Sequence, residues 1–156
     1  MTALEQDAPN PQAILIAYGS QTGTAERKAQ EAAEALRRGG VEAEAIGLNK
    51  LTAEMLASAR RMLFVVASYG NGEPPDMARG FYYRVPPNAM DLSHIAYGLL
   101  ALGNAGYPDF CGFGRKIERW LDRSGARPLF ETITMDRQSP EADAAWQARL
   151  RELGAL

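Results

Sequence analysis

The sequence predicts an α/β fold, a doubly wound sheet of five parallel strands, and three observations carry that reading. Short, nearly continuous apolar runs recur along the 156 residues, as strands buried on both faces require. Segments with apolar residues at helical spacing separate them, so strand and helix alternate. Glycine or proline punctuates most of the junctions.

The elements follow in order. Ala13 to Tyr18 is the first apolar run, broken by Gly19. From Thr24 to Arg38, Ala25, Ala29, Ala32, Ala33 and Leu36 recur at helical spacing, and Gly39-Gly40 stops the helix because glycine accepts the left-handed conformation common just past a helix end. Val41 to Leu48 alternates apolar and polar residues, as an edge strand does. Thr52 is placed to cap a short helix through Ala59, and Met62 to Ala67, introduced by Arg61, is the strongest buried-strand signal in the chain. After Pro74-Pro75, Asp76 is expected to cap a helix that ends before Pro86-Pro87. Ile95 to Leu102 is the fourth strand. Phe113, Ile117, Trp120 and Leu121 give Phe110 to Ser124 one apolar face, closed by Gly125. Leu129 to Met135 is the fifth strand, and Ala142, Ala145, Trp146 and Leu150 form the face of a final helix. Residues 1–12, with Glu5, Asp7 and two prolines, read as a disordered lead, which leaves 13–156 as one domain.

Composition narrows the function. A chain of this length supports one real core, but not a flavin module and a nicotinamide module together. A formal charge of −2, from 19 acidic and 17 basic side chains, offers no general attraction for nucleic acid or an anionic membrane. No apolar stretch approaches the roughly 20 residues of a membrane-spanning helix. The single cysteine, Cys111, cannot form an internal disulfide and is compatible with a reducing cytoplasm.

Ligand in a doubly wound sheet binds beyond the carboxyl ends of the strands. Three turns follow the first, third and fourth strands at that edge: Ser20-Gln21-Thr22-Gly23-Thr24-Ala25, Ser68-Tyr69-Gly70-Asn71-Gly72-Glu73 and Leu102-Gly103-Asn104-Ala105-Gly106-Tyr107. The first offers three hydroxyls in five residues, and Gly23 lets backbone amides approach an anion at a helix start. Neither the Gly-Lys-Ser/Thr ending of a nucleoside-triphosphate loop nor the Gly-x-Gly-x-x-Gly dinucleotide fingerprint is present, so a single terminal phosphate fits. The alternative is an ordinary turn in which Thr22 or Thr24 caps the helix, a role worth about 1 kcal/mol. Tyr69 and Tyr107 offer flat surfaces for a planar ring, with glycines beside them for close backbone approach and Asn104 for the ring's polar edge. Either tyrosine alone reads better as a surface turn residue; it is the two loops together, beside a phosphate turn, that point to a ring.

These turns, extended to Tyr18 through Glu26 and to Leu102 through Gly112, resemble the FMN loops of flavodoxins. The resemblance runs from about Ala13 to the last helix and is nearest to the FMN domains of sulfite, cytochrome and nitric-oxide-synthase-type diflavin reductases. It implies the flavodoxin-like strand order 2-1-3-4-5 and FMN as cofactor. By the same resemblance Ser20, Gln21, Thr22, Gly23, Thr24 and Ala25 surround the phosphate, and Tyr69 and Tyr107 flank the ring. Ser68, Gly70, Asn71 and Gly72 form the first ring loop, in which the Gly70 carbonyl faces the ring nitrogen that gains a proton on one-electron reduction. Leu102, Gly103, Asn104, Phe110 and Cys111 line the second, and Asp136 matches an acidic position near the cofactor. FAD and nicotinamide modules are missing from a chain that starts at its own methionine. The expected role is therefore that of a stand-alone monomeric carrier between an NAD(P)H-dependent flavoprotein reductase and an acceptor protein.

Two other roles compete with that one: an FMN-dependent quinone or nitro-compound reductase, and an accessory module of a redox complex. No catalytic acid, base, nucleophile or metal cluster stands out. His94 reads as solvent-exposed or structural, Cys111 as a small packing residue, and Trp120 and Trp146 as core. Arg115, Lys116, Arg119 and Arg123 read first as a solvated helix face and second as a partner-docking patch, and from elsewhere in the chain they partly offset Glu73, Asp76, Asp109 and Asp136 near the site.

Overall fold

The computed structural model describes residues 12–20, 22–69, 73–84, 90–106 and 111–155. The expected disordered lead therefore lies outside the described residues except for Gln12, as do Gln21, Gly70, Asn71, Gly72, Tyr107 and Phe110 among the expected site residues.

The chain order is β1 (Ile14–Gly19), α1 (Thr24–Arg38), β2 (Ala43–Gly47), a 3-10 turn (Leu48–Lys50), α2 (Ala53–Ser58) and β3 (Arg61–Ala67). A second 3-10 turn (Asp76–Ala78) then runs into α3 (Arg79–Arg84), followed by β4 (Ala96–Gly103), α4 (Gly112–Arg123), β5 (Arg127–Pro128), β6 (Ile133–Asp136) and α5 (Pro140–Ala155). The pairings are parallel and the strand order is 2-1-3-4-5, with β6 continuing on the same strand, β4. This is the architecture expected of the sequence.

Alternation along the central strands builds two apolar layers. Ala17, Met62, Phe64, Val66 and Leu99 face α2, α3 and α4, while Ile14, Ile16, Leu63, Val65, Leu100 and Leu102 face α1 and α5. Both tryptophans are buried, one in each layer. Trp120 receives Phe64 and Phe81 edge-on at 6.4 and 5.6 Å between ring centroids, and Trp146 meets Phe130 at 6.3 Å. Helix ends obey the expected chemistry. Gly40 takes φ +89° as Val41 N–H reaches back to the Leu36 carbonyl at 2.9 Å, and the Thr52 hydroxyl accepts from Met55 N–H at 3.1 Å.

Two expectations are corrected. The fifth strand is not continuous over 129–135 but splits into β5 and β6. Tyr97 pairs with Pro128 and Leu100 with Ile133, so β4 advances three residues while the edge advances five. The physical cause lies at Gly98. A Cβ there would stand 2.3 Å from Cζ of Phe130, so the Phe130 ring occupies the space a side chain would have filled and closes over Trp146. The partly buried ring packs where edge hydrogen bonds would otherwise have formed, and the resulting bulge interrupts the edge. The second correction concerns Asp76. It begins the 3-10 turn instead of capping it, and its carboxylate accepts from Arg79 Nε at 3.0 Å.

Among the described residues no helix is long and apolar enough to cross a membrane, and no group of three or more His, Cys, Asp or Glu could hold a metal ion.

Candidate functional site

Register brings the carboxyl ends of the strands together. Gly19 pairs with Val66, Ala67 with Leu102 and Gly103 with Asp136, so the three expected turns leave the sheet side by side along one edge. Two open grooves of about 420 and 430 Å³ flank the buckled β5–β6 edge instead, and neither includes a described residue of the three turns.

The turn after β1 is closed by its own residues. The Ser20 side chain is buried, and its oxygen accepts from Gly23 N–H at 3.0 Å. Gly23 then takes φ +95°, a left-handed conformation that a side chain would strain, and its carbonyl accepts the first helical bond, from Arg27 N–H at 2.9 Å. No side chain caps α1. The alternative in which Thr22 or Thr24 serves as a cap is therefore not realised, and the first-turn amides of α1 carry no side-chain cap. Fixed donors at the positive end of a helix suit a phosphate monoester. Ala25, fully buried, holds the start of the helix against the sheet.

The turn after β3 reaches toward the first one. Tyr69 is half-buried, exchanges two backbone hydrogen bonds with Glu73 at 2.9 and 2.8 Å, and extends its hydroxyl to accept from Thr22 N–H at 3.3 Å. One tyrosine thus touches both halves of the expected site. Ser68 ties β3 to the third turn. Its N–H donates to the Leu102 carbonyl at 2.9 Å, and its side-chain oxygen accepts from Phe113 N–H at 2.9 Å in the first turn of α4. A serine far away in sequence supplies the hydroxyl that α4 lacks locally.

The turn after β4 is held from β6. The Asp136 carboxylate accepts from Ala105 N–H at 2.8 Å, Arg137 N–H donates to the Gly103 carbonyl at 2.7 Å, and the Asn104 side-chain oxygen accepts from Gly106 N–H at 2.8 Å. Leu102 sends its side chain into the layer under α1 and α5. Cys111, at φ +57°, is 1% exposed, and its Sγ donates to the Ala101 carbonyl at 3.4 Å. Burial pushes its thiol up to about 11, only partly countered by Arg115, so it packs as a neutral group. His94, as expected, is structural, with Nε2 2.9 Å from the Leu56 carbonyl.

The flavodoxin family profile matches residues 16–149. The chain belongs to the flavodoxin family. FMN is the cofactor of that family, and electron transfer is the activity its modules share. Among related proteins, the chain is 30% identical over 144 residues to the sulfite reductase [NADPH] flavoprotein alpha-component of Neisseria meningitidis serogroup C, covering 92% of this chain and 24% of that protein. It is 33% identical over 123 residues to NADPH–cytochrome P450 reductase of Bos taurus, covering 76% and 18%. It spans about a quarter of the length of the sulfite reductase components it matches. Among solved structures, a cysteine-to-serine mutant of flavodoxin from Pseudomonas aeruginosa superposes with a TM-score of 0.77 at 25% identity, covering 92% of this chain and 97% of that one.

Within this flavodoxin-family fold three acidic side chains at the described edge of the site each lie beside an arginine. Arg79 lies 3.9 Å from Glu73 and 3.0 Å from Asp76, and Arg137 lies 3.7 Å from Asp136. Basic partners for these carboxylates thus lie at the site edge, in residues that carried no signal in the sequence. Arg137 in particular follows no motif. Its place beside the third turn depends on β6 pairing with β4.

Proposed function

We propose that this protein is an FMN-dependent carrier that passes single electrons from a separate NAD(P)H-dependent flavoprotein reductase to an acceptor protein. The observation that carries the reading is the uncapped start of α1, rimmed by Ser20, Thr22 and Thr24, directly beside two turns that can frame a planar ring. FMN, when bound, supplies chemistry that accepts one or two electrons. The protein's residues bind and orient it.

In this reading Ser20 through Ala25 hold the phosphate, with the first-turn amides of α1 as donors. Tyr69 lies against the ring while its hydroxyl stays within reach of the phosphate turn, and Gly103 and Asn104 present backbone and amide groups to the ring's polar edge. Ser68, Cys111 and Asp136 act on the loops that surround the ring: Ser68 joins them, Cys111 packs beneath them and Asp136 fixes Ala105. The donor and acceptor belong to this proposal and are supported by the NADPH-dependent flavoproteins among the relatives. So do the extent of the FMN domain, 13–156, and the picture of a monomer in the cytoplasm, a compartment with which the single cysteine is compatible.

Purification in the presence of FMN, followed by absorbance spectroscopy and reductive titration, tests the reading. A yellow protein that takes up electrons one at a time and reduces nothing with NADPH alone is the expected result. Steady turnover of NADPH with a quinone points to a reductase instead, and a protein that does not take up FMN overturns the proposal.

A further inference from the structure

We propose that Arg137 tunes the reduction potential of the bound flavin by carrying a fixed positive charge onto the third turn. The inference rests on the FMN reading above.

Four observations converge on it. Arg137 is one of two non-glycine residues with positive φ among the described residues, at +58°. That conformation suits glycine or asparagine better than arginine. It is held by the bond from Arg137 N–H to the Gly103 carbonyl at 2.7 Å, which fixes the residue to the turn that follows β4. The guanidinium folds back over the same turn. A Cβ on Gly106 would lie 3.7 Å from Arg137 Nη2, and Arg137 Nη1 is 3.7 Å from Asp136 Oδ2. The other Asp136 oxygen is already engaged by Ala105 N–H at 2.8 Å, so carboxylate and guanidinium ride on the turn as a pair.

The electrostatic consequence depends on the charge of the ring. Oxidised flavin is neutral. Uptake of one electron and one proton leaves it neutral, and a second electron without a further proton leaves it anionic. The carboxylate of Asp136 opposes that last step, and Arg137 offsets the carboxylate. A charge at this position therefore acts mainly on the second electron, supplied by the reductase in the cell or by dithionite in the titration. The Arg137 side chain is 65% exposed, so solvent and salt screen the effect.

The test compares FMN-loaded wild type with Arg137→Lys, Arg137→Asn and Arg137→Glu by spectroelectrochemical titration at low salt and near 1 M salt, where the screening length is about 3 Å. Asparagine tolerates the left-handed backbone, so its effect reports charge and not folding. At low salt the lysine variant should match wild type. The asparagine variant should favour the fully reduced state roughly threefold less, and the glutamate variant about tenfold less, which corresponds to about 59 mV for one electron. The first step should move less, and high salt should compress the series. The inference is overturned if Asn and Glu leave the second step where it was while FMN still binds, or if Lys shifts as far as Asn, which would assign the effect to shape. A wild-type protein that binds no FMN removes the reading beneath it, a result distinguishable from either.

Discussion

The turn after β1 and the turn after β4 serve one expected ligand and are built in opposite ways. The first is made mainly by its own neighbourhood: the Ser20 oxygen on Gly23 N–H, the left-handed Gly23, and the helix that begins at Thr24, with one contact from outside, the Tyr69 hydroxyl on Thr22 N–H. The second owes much of its shape to residues some 30 positions later, through Asp136 on Ala105 N–H and Arg137 N–H on the Gly103 carbonyl. A phosphate needs only a cluster of donors at a helix start, which a short chain segment can provide. A planar ring needs two surfaces at a fixed spacing, and only the sheet can set that. The local turn should thus fail through its backbone, and the remote one through its tether.

The largest effect should come from cutting the tether. Asp136→Ala leaves Ala105 N–H without its charged acceptor, a loss of about 1.5–3 kcal/mol, and FMN affinity should fall about 10- to 100-fold. Inorganic phosphate should still compete for the first turn as well as before, and amide exchange at Ala105 should quicken. Equal losses for FMN and phosphate would erase the distinction between the two turns. Next comes Gly23→Ala, which forces a side chain into φ +95° at a cost of about 1–2 kcal/mol. Calorimetry should show FMN and phosphate weakening together, with exchange at Ala105 unchanged.

Ser68→Ala probes the link between the second and third turns. Phe113 N–H loses its acceptor, so the urea midpoint should drop by the equivalent of about 1 kcal/mol, with an unchanged slope. The smallest effect concerns Cys111. Its folded thiol titrates near 11 against an ordinary 9.0, because burial disfavours the thiolate. The unfolded chain therefore loses this proton first, and the contribution to stability is complete below about pH 9 and declines as pH rises toward 11. Native protein should resist iodoacetamide at pH 8 and react quickly in urea; rapid native alkylation would place the thiol outside the core.

The sequence carried the local features well. Alternation of apolar runs with helical spacing specifies the layers, because burial on both sides of a strand leaves a continuous signal. Thr52 capped its helix and both tryptophans entered the core, as their neighbours in the chain require. The failures have a common cause. Asp76 lost its capping role to an ion pair with Arg79. The fifth strand buckled because Gly98, some thirty residues away, left room for Phe130. Each outcome was decided by a competing side-chain interaction that the apolar pattern does not weigh, one three residues along the chain and the other across the sheet.

The sequence by itself determined most of the segments that become strands and helices, where the chain turns, and that the turn after β1 carries three hydroxyl residues at a helix start. Those properties depend on residues within one or two helical turns of each other. Tertiary structure alone decided that Ser68 completes α4, that Tyr69 reaches Thr22, and that Asp136 and Arg137 sit on the turn after β4. Contacts between strand ends follow from pairing register, and register is settled only when the whole sheet packs against its helices.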